Sequence, residues 1–180
     1  MAEYHCSQAT QNGHETVVYS LLGDSHKAKP NLNARDDMGR TALILAAENG
    51  HASIVKILVS RSANADVVAY DGKKVWQKAV DMGHASVVES LLSNLNAPIQ
   101  NRQAVNEALL LASRRGWNDL VRVLLEQEVD LTFQSRGDKW TTLHMAAMSG
   151  HRQVLEMLIA KGVEIVIKGR QRPYRPVSGY

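Results

Sequence analysis

Apolar residues recur along the chain at the three-and-four spacing of an amphipathic helix, in short stretches that a glycine keeps interrupting. Leu43, Ala46 and Ala47 lead up to Gly50, and Ile54, Val55, Ile57 and Leu58 follow it. Residues so spaced share one helix face, and glycine can take the left-handed conformation that ends a helix. The pattern therefore predicts two antiparallel helices joined at the glycine. Ahead of them, the polar residues and Gly39 of NARDDMGRT predict a turn, with the Thr41 hydroxyl placed to cap the first helix.

The phrase returns. TALILAAENGH occupies 41–51 and TTLHMAAMSGH occupies 141–151, while KVWQKAVDMGH at 74–84 keeps the frame with different side chains. Gly-His stands at 13–14, 50–51, 83–84 and 150–151, with Gly116-Trp117 in the remaining slot, so the steps are 37, 33, 33 and 34 residues. Self-similarity at such a period marks a repeat array. Five units follow, at about 2–32, 33–65, 66–98, 99–131 and 132–168, each expected to hold a projecting turn and a helical hairpin.

Energetics decide how the units are arranged. Burying one aliphatic side chain yields about 1.5–3 kcal/mol, whereas ordering each residue's backbone costs about 1–2 kcal/mol. A lone hairpin with a handful of core aliphatics cannot persist, so neighbours must share their apolar faces in an all-α solenoid. Composition agrees. Hydrophobic residues make up 44% of the 180 but aromatics only 5%, with one phenylalanine, so the interior is Leu, Ile, Val and Ala, which suits close helix packing.

These elements together resemble the ankyrin repeat. NARDDMGRTALILAAENGHASIVKILVSRSANA at 33–65 is similar to it in its turn, its Ala-Ala and Gly-His elements and its aliphatic second helix. The likeness runs from about residue 2 to 168, and the fifth unit retains Thr141, Leu143, His144, Ala146, Gly150 and His151. There are departures. Ala42, Val75, Ala108 and Thr142 replace the proline favoured at the first helical position, Trp76 stands where leucine is usual, and the loop GDSHKAKP adds about four residues after a first unit without a turn at its start.

The resemblance implies a protein-interaction module whose turn tips and outward first-helix residues line a concave face. By register that face takes Asp37, Met38, Arg40, Glu48 and Asn49, then Tyr70, Asp71, Lys73, Asp81 and Met82. The fourth unit adds Gln103, Asn106, Arg114 and Arg115, and the fifth Lys139, Trp140, Met148 and Ser149. The core pattern does not require Met38, Tyr70, Met82, Trp140 or Met148, and aromatics, Met and Arg are enriched in interface centres. The expected contact set is Met38, Arg40, Asn49, Tyr70, Lys73, Asp81, Met82, Arg114, Arg115, Trp140 and Met148. Acidic residues gather in the early units and Arg114, Arg115 and Lys139 in the late ones, so a peptide or folded partner of opposite polarity is expected.

Seven histidines raise the question of metal or acid–base chemistry. In the family the two histidine slots tie loops and helix starts together, which the resemblance implies for His14, His51, His84, His144 and His151. His5 and His26 fall outside both slots and are expected on the surface. HETVV at 14–18 has Val18 where a zinc-protease helix needs its second ligand, and GDSHK at 23–27 has Lys27 where a nucleophile elbow needs glycine. Cys6 falls in a core leucine slot, and adjacent helical residues such as His5 point about 100° away from it. No catalytic residue, metal site or cofactor is expected. A rival reading places a small-molecule or catalytic groove around units three and four, with Tyr70, Trp76, Asp81, Arg114 and His144. The third unit, with Lys74, Trp76, Gln77 and Lys78, either tolerates decay or shapes a site.

Charge and cysteine usage add limits. A single cysteine excludes an internal disulfide and a multi-thiolate zinc site, and points to a reducing compartment. With no secretory signal and no run of 18 apolar residues, a cytoplasmic protein is expected, the nucleus being the alternative, with no membrane contact. The tail carries Lys168, Arg170, Arg172 and Arg175 without an acid, which leaves residues 1–167 at −1 of the overall +3. Nucleic acid is therefore not the expected partner, and 169–180 reads as a basic tail. The last helix, RQVLEMLIAKG, looks like an internal one, and its outer face needs a cover: VEIVIKG at 163–169 with the tail, another protomer, or a downstream domain.

Overall fold

The structure, a computed structural model, describes residues 2–23, 30–93 and 102–162, with side chains from Cys6 onward. Among them run ten helices: α1 (Ala2–Gln11), α2 (Glu15–Leu22), α3 (Ala42–Glu48), α4 (Ala52–Ser60), α5 (Val75–Met82), α6 (Ala85–Leu92), α7 (Arg102–Arg115), α8 (Asn118–Leu125), α9 (Thr142–Met148) and α10 (Arg152–Ala160). Each odd-numbered helix packs on the next odd one and each even helix on the next even one, while α1·α2, α3·α4 and their successors form hairpins. The result is a two-layer helical solenoid. Extended pairing among the described residues is confined to one antiparallel bridge, Val68 with Lys74.

The expected turn chemistry is present. Thr41 caps α3, its hydroxyl accepting from the Ile44 N–H at 3.4 Å. The turn before it closes on the Asp36 carboxylate, which accepts from the Met38 and Arg40 N–H groups at 3.0 and 2.8 Å. Gly39 sits at φ 73° beneath the next unit's Tyr70 ring; a Cβ there would lie 2.5 Å from Tyr70 Cδ1, so backbone and space both require glycine. The Tyr70 N–H donates to the Met38 carbonyl at 3.1 Å, which stitches one turn to the next.

The Gly-His slot is the joint between units. His51 Nε2 lies 3.2 Å from the Gln11 carbonyl, His84 Nε2 3.1 Å from that of Glu48, and His151 Nε2 3.0 Å from that of Arg114. A carbonyl can only accept, so each imidazole carries its proton on Nε2. Each ring also covers the bare Cα of the preceding unit's glycine: a Cβ on Gly13 would stand 2.7 Å from the His51 ring, and one on Gly50 2.9 Å from the His84 ring. In the fourth unit Trp117 covers Gly83, and the carbonyl in the matching place, that of Asp81, accepts instead from Arg115 Nη1 at 3.1 Å. The Arg115 guanidinium lies 5.1 Å from the centre of the Trp117 ring. One residue fills the space of the missing histidine and another makes its bond.

Three expectations need correction. The fourth unit has no projecting turn among its described residues, because α7 runs 14 residues and Ala108 lies well inside it rather than at its start. No glycine occurs between Gly83 and Gly116, in contrast to the second and third units, whose turns hold Gly39 and Gly72 at positive φ. Asn106, expected on the outward face, is buried, and its side-chain oxygen accepts from the Asp130 N–H at 2.9 Å. Trp76, grouped with residues that stacking does not request, is also buried and belongs to the core with Ala79, Val80 and Leu91. The core is otherwise the predicted aliphatic one, with Leu43, Ile54, Leu58, Leu109, Leu120, Leu124 and Leu158 fully enclosed. Cys6 is buried, and burial pushes its thiol above the ordinary value against a hydrogen bond from Thr10.

Candidate partner-binding face

The turn tips and the ends of the first helices carry a ladder of charges. Arg40 binds Asp36 at 2.8 Å and reaches Glu48 at 3.3 Å, eight residues on. One unit later Lys73 reaches Asp81 at 2.5 Å over the same eight residues. Lys78 crosses between units, 2.8 Å from Glu48 of the second and 2.8 Å from Asp71 of its own turn. Lys78 and Glu48 are mostly covered, which screens their attraction less than on an open surface.

These contacts set the titration behaviour. Partial burial pushes the Asp36 carboxyl up, but the Arg40 backbone and guanidinium and the Met38 N–H outweigh it and hold the carboxyl below its ordinary value. The Lys78 hydrogen bond, helped by the Lys73 N–H, holds Asp71 low as well. For Lys78, burial disfavours the charge while Asp71 and Glu48 favour it, and the net is a raised value.

Above this network Met38, Asp37, Arg40, Glu48, Tyr70, Asp71 and Lys78 line an open cleft of about 360 Å³. Its lining includes Tyr70 but none of Trp76, Asp81, Arg114 or His144, so it does not bring together the five residues of the small-molecule reading. His144 instead accepts from the Thr141 N–H at 3.3 Å on its Nδ1, part of a reciprocal cap at the start of α9.

The expected contact residues divide by environment. Met38, Tyr70, Met82 and Met148 are 61%, 71%, 55% and 67% exposed, although all four are large and apolar. Asn49, Lys73, Arg114 and Arg115 are exposed, and Arg40, Asp81 and Trp140 are half-buried. The Asn49 amide donates to the Leu45 carbonyl at 2.8 Å, closing its own helix. Arg115 is committed to the Asp81 carbonyl, whereas Arg114 and Lys139 make no ion pair among the described residues. The early acids Asp36, Glu48, Asp71 and Asp81 are matched by Arg40, Lys73 and Lys78, so the expected acidic end of the face is largely neutralised. In the fifth turn Trp140 and Met148 stand at the register places that Arg40 and Glu48 hold in the second, and Lys139 takes the left-handed conformation, φ 58°, where Gly39 sits. The ladder's eight-residue spacing was visible in the chain, whereas the reach of Lys78 across units was not.

A stack of helical hairpins with histidine joints and projecting turns defines a helical repeat solenoid. The family model of ankyrin repeats (3 copies) matches residues 6–103 and 95–169. The chain belongs to the ankyrin repeat family, whose repeats are generally protein-interaction modules. It is 32% identical over 170 residues to the ankyrin repeat and KH domain-containing protein mask-1 of Caenorhabditis elegans, covering 94% of this chain and 6% of that protein. It is 34% identical over 119 residues to the tyrosine-protein kinase HTK16 of Hydra vulgaris, covering 65% of this chain and 16% of the kinase. With the human ankyrin repeat domain-containing protein 63 it shares 36% over 98 residues, 52% of this chain and 26% of that one. The chain thus spans a small part of each of these relatives. No helix among the described residues is long and apolar enough to cross a membrane.

Proposed function

We propose that the chain is a binding module without chemistry of its own, which docks a peptide or folded partner on the concave face made by its turn tips and first-helix ends. The observation that carries this reading is the exposure of Met38 and Tyr70 at turn tips and of Met82 and Met148 at the ends of first helices, where burial gives no reason for apolar side chains. Apolar anchors surrounded by charged groups are the composition of an interface centre and rim. The cleft at Met38 and Tyr70 serves as a pocket for one partner side chain, and Trp140 with Arg114 provides anchors at the other end. The single cysteine and the absence of a spanning helix among the described residues support a cytoplasmic or nuclear scaffold role.

The test is binding to partners captured on the intact chain. Trp140→Ala and Tyr70→Ala should each weaken captured complexes by about tenfold or more, as hot-spot truncations do, with circular dichroism unchanged. Arg114→Ala should weaken binding more at low salt than at high. If both aromatics can be removed without loss of affinity, the concave-face reading fails.

A further inference from the structure

The joints between units are directional, and among the described residues two halves of one are unfilled, in the first and fifth units. On the leading side of each unit a ring at the start of the second helix reaches back to the preceding unit's glycine. On the trailing side that glycine, at a φ between 72° and 78°, offers a bare Cα and, two residues before it, a carbonyl. The pairs Gly13 with His51, Gly50 with His84, Gly83 with Trp117 and Gly116 with His151 are all filled. Gly150 has the same conformation, φ 73°, yet no described residue lies within 4 Å of the place where its Cβ would stand. The carbonyl in the matching place is that of Met148.

The complementary half stands in the first unit. His14 starts α2 with φ −77° and ψ 75°, close to the −81° and 73° of His51 and the −78° and 80° of His84, but its ring is exposed and covers no glycine among the described residues. Val17, in the place where Ile54, Val87, Leu120 and Val154 are enclosed, is 45% exposed. At the trailing end Ala147 is exposed where Ala47 and Val80 are enclosed, and Ile159 is 48% exposed.

We infer that a second copy of this chain docks head to tail on the fifth unit, with its His14 ring over Gly150 and Nε2 donating to the Met148 carbonyl, and its Val17 near Ala147. Such a contact joins two different surfaces, so it does not close on itself and copies add in a row. Gln8, exposed in the place where Leu45 is enclosed, makes the leading face partly polar and keeps the association weak and concentration-dependent.

Sedimentation equilibrium on the full chain over a wide concentration range tests this. The average mass should rise continuously, without a plateau at the dimer. Ala147→Arg blocks the trailing face and the double variant His14→Ala, Val17→Asp blocks the leading face; all three positions are exposed, and circular dichroism verifies that each variant is folded. Each variant by itself should remain monomeric, whereas their equal mixture should give a heterodimer and nothing larger, since one open face of each kind survives. A chain that is monomeric at every concentration overturns the inference, as does a dimer that persists in either variant. A chain that associates only after removal of residues 163–180 also overturns it, and assigns the Gly150 face to its own last residues.

Discussion

At the scale of single residues, the joint glycines do two jobs that can be separated. Gly50 and Gly150 share a left-handed backbone, but only Gly50 is covered by a ring, that of His84. Gly150→Ala should therefore cost about 1 kcal/mol, the conformational penalty of a side chain at positive φ. Gly50→Ala should cost about 1–3 kcal/mol more, because its Cβ must displace the imidazole and with it the bond to the Glu48 carbonyl. Urea midpoints on dilute protein measure the difference; equal losses would show that the ring contributes no packing constraint. The positions of the joint were legible in the sequence, since Gly-His recurs, but its action was not. The histidine's partner is a backbone carbonyl 36 or more residues earlier, and a carbonyl leaves no residue-type signature.

At the scale of elements, the hairpins followed from apolar spacing and glycine, while the unusual ones depended on contacts between units. The third unit looked worn because Trp76, Gln77 and Lys78 replace familiar residues, yet Trp76 fills the core, Gln77 accepts from the Lys74 N–H at 2.9 Å, and Lys78 ties α5 to α3 through Glu48. The long α7 was in principle legible, since RQAVNEALLLASRR holds no glycine or proline. The joint between α5 and α7 offers a specific test of compensation. Arg115→Ala should cost about 1 kcal/mol by removing the bond to the Asp81 carbonyl and the contact with the Trp117 ring. In a Trp117→His background the imidazole should recover that carbonyl, and the same Arg115→Ala change should then cost little. A double-mutant cycle reads the coupling directly; additive losses would mean that the arginine does not stand in for the histidine's bond.

For the whole molecule, the carboxylates that cross-link turns and helices make stability depend on pH. Asp36 and Asp71 are both held below their ordinary value, so the unfolded chain binds more protons than the native one as pH falls through that range. Their contribution is complete above the usual carboxylate value near 4 and is lost as pH drops through it and through the lower native values. Lys78 works in the opposite direction: its raised value makes its contribution complete below about 10.4 and lost as pH climbs through the native value. The urea midpoint should hold steady near neutrality and fall at both extremes. Lys78→Met should flatten part of the acid decline, because Asp71 loses its leading stabilising contact, and an unchanged acid limb would show that the bridge does not operate in solution.

The extension of α7 has a consequence for how any long ligand could sit on this solenoid. Of the four fingertip places that the register sets, the third is wound into helix among its described residues, with Met38 and Tyr70 before it and Trp140 after it. A ligand gripping both sides behaves as a two-point tether whose strength depends on the span between its own anchors, because the second grip forms at an effective concentration set by that spacing. Lengthening or shortening such a ligand between its anchors would change avidity without altering a single contact.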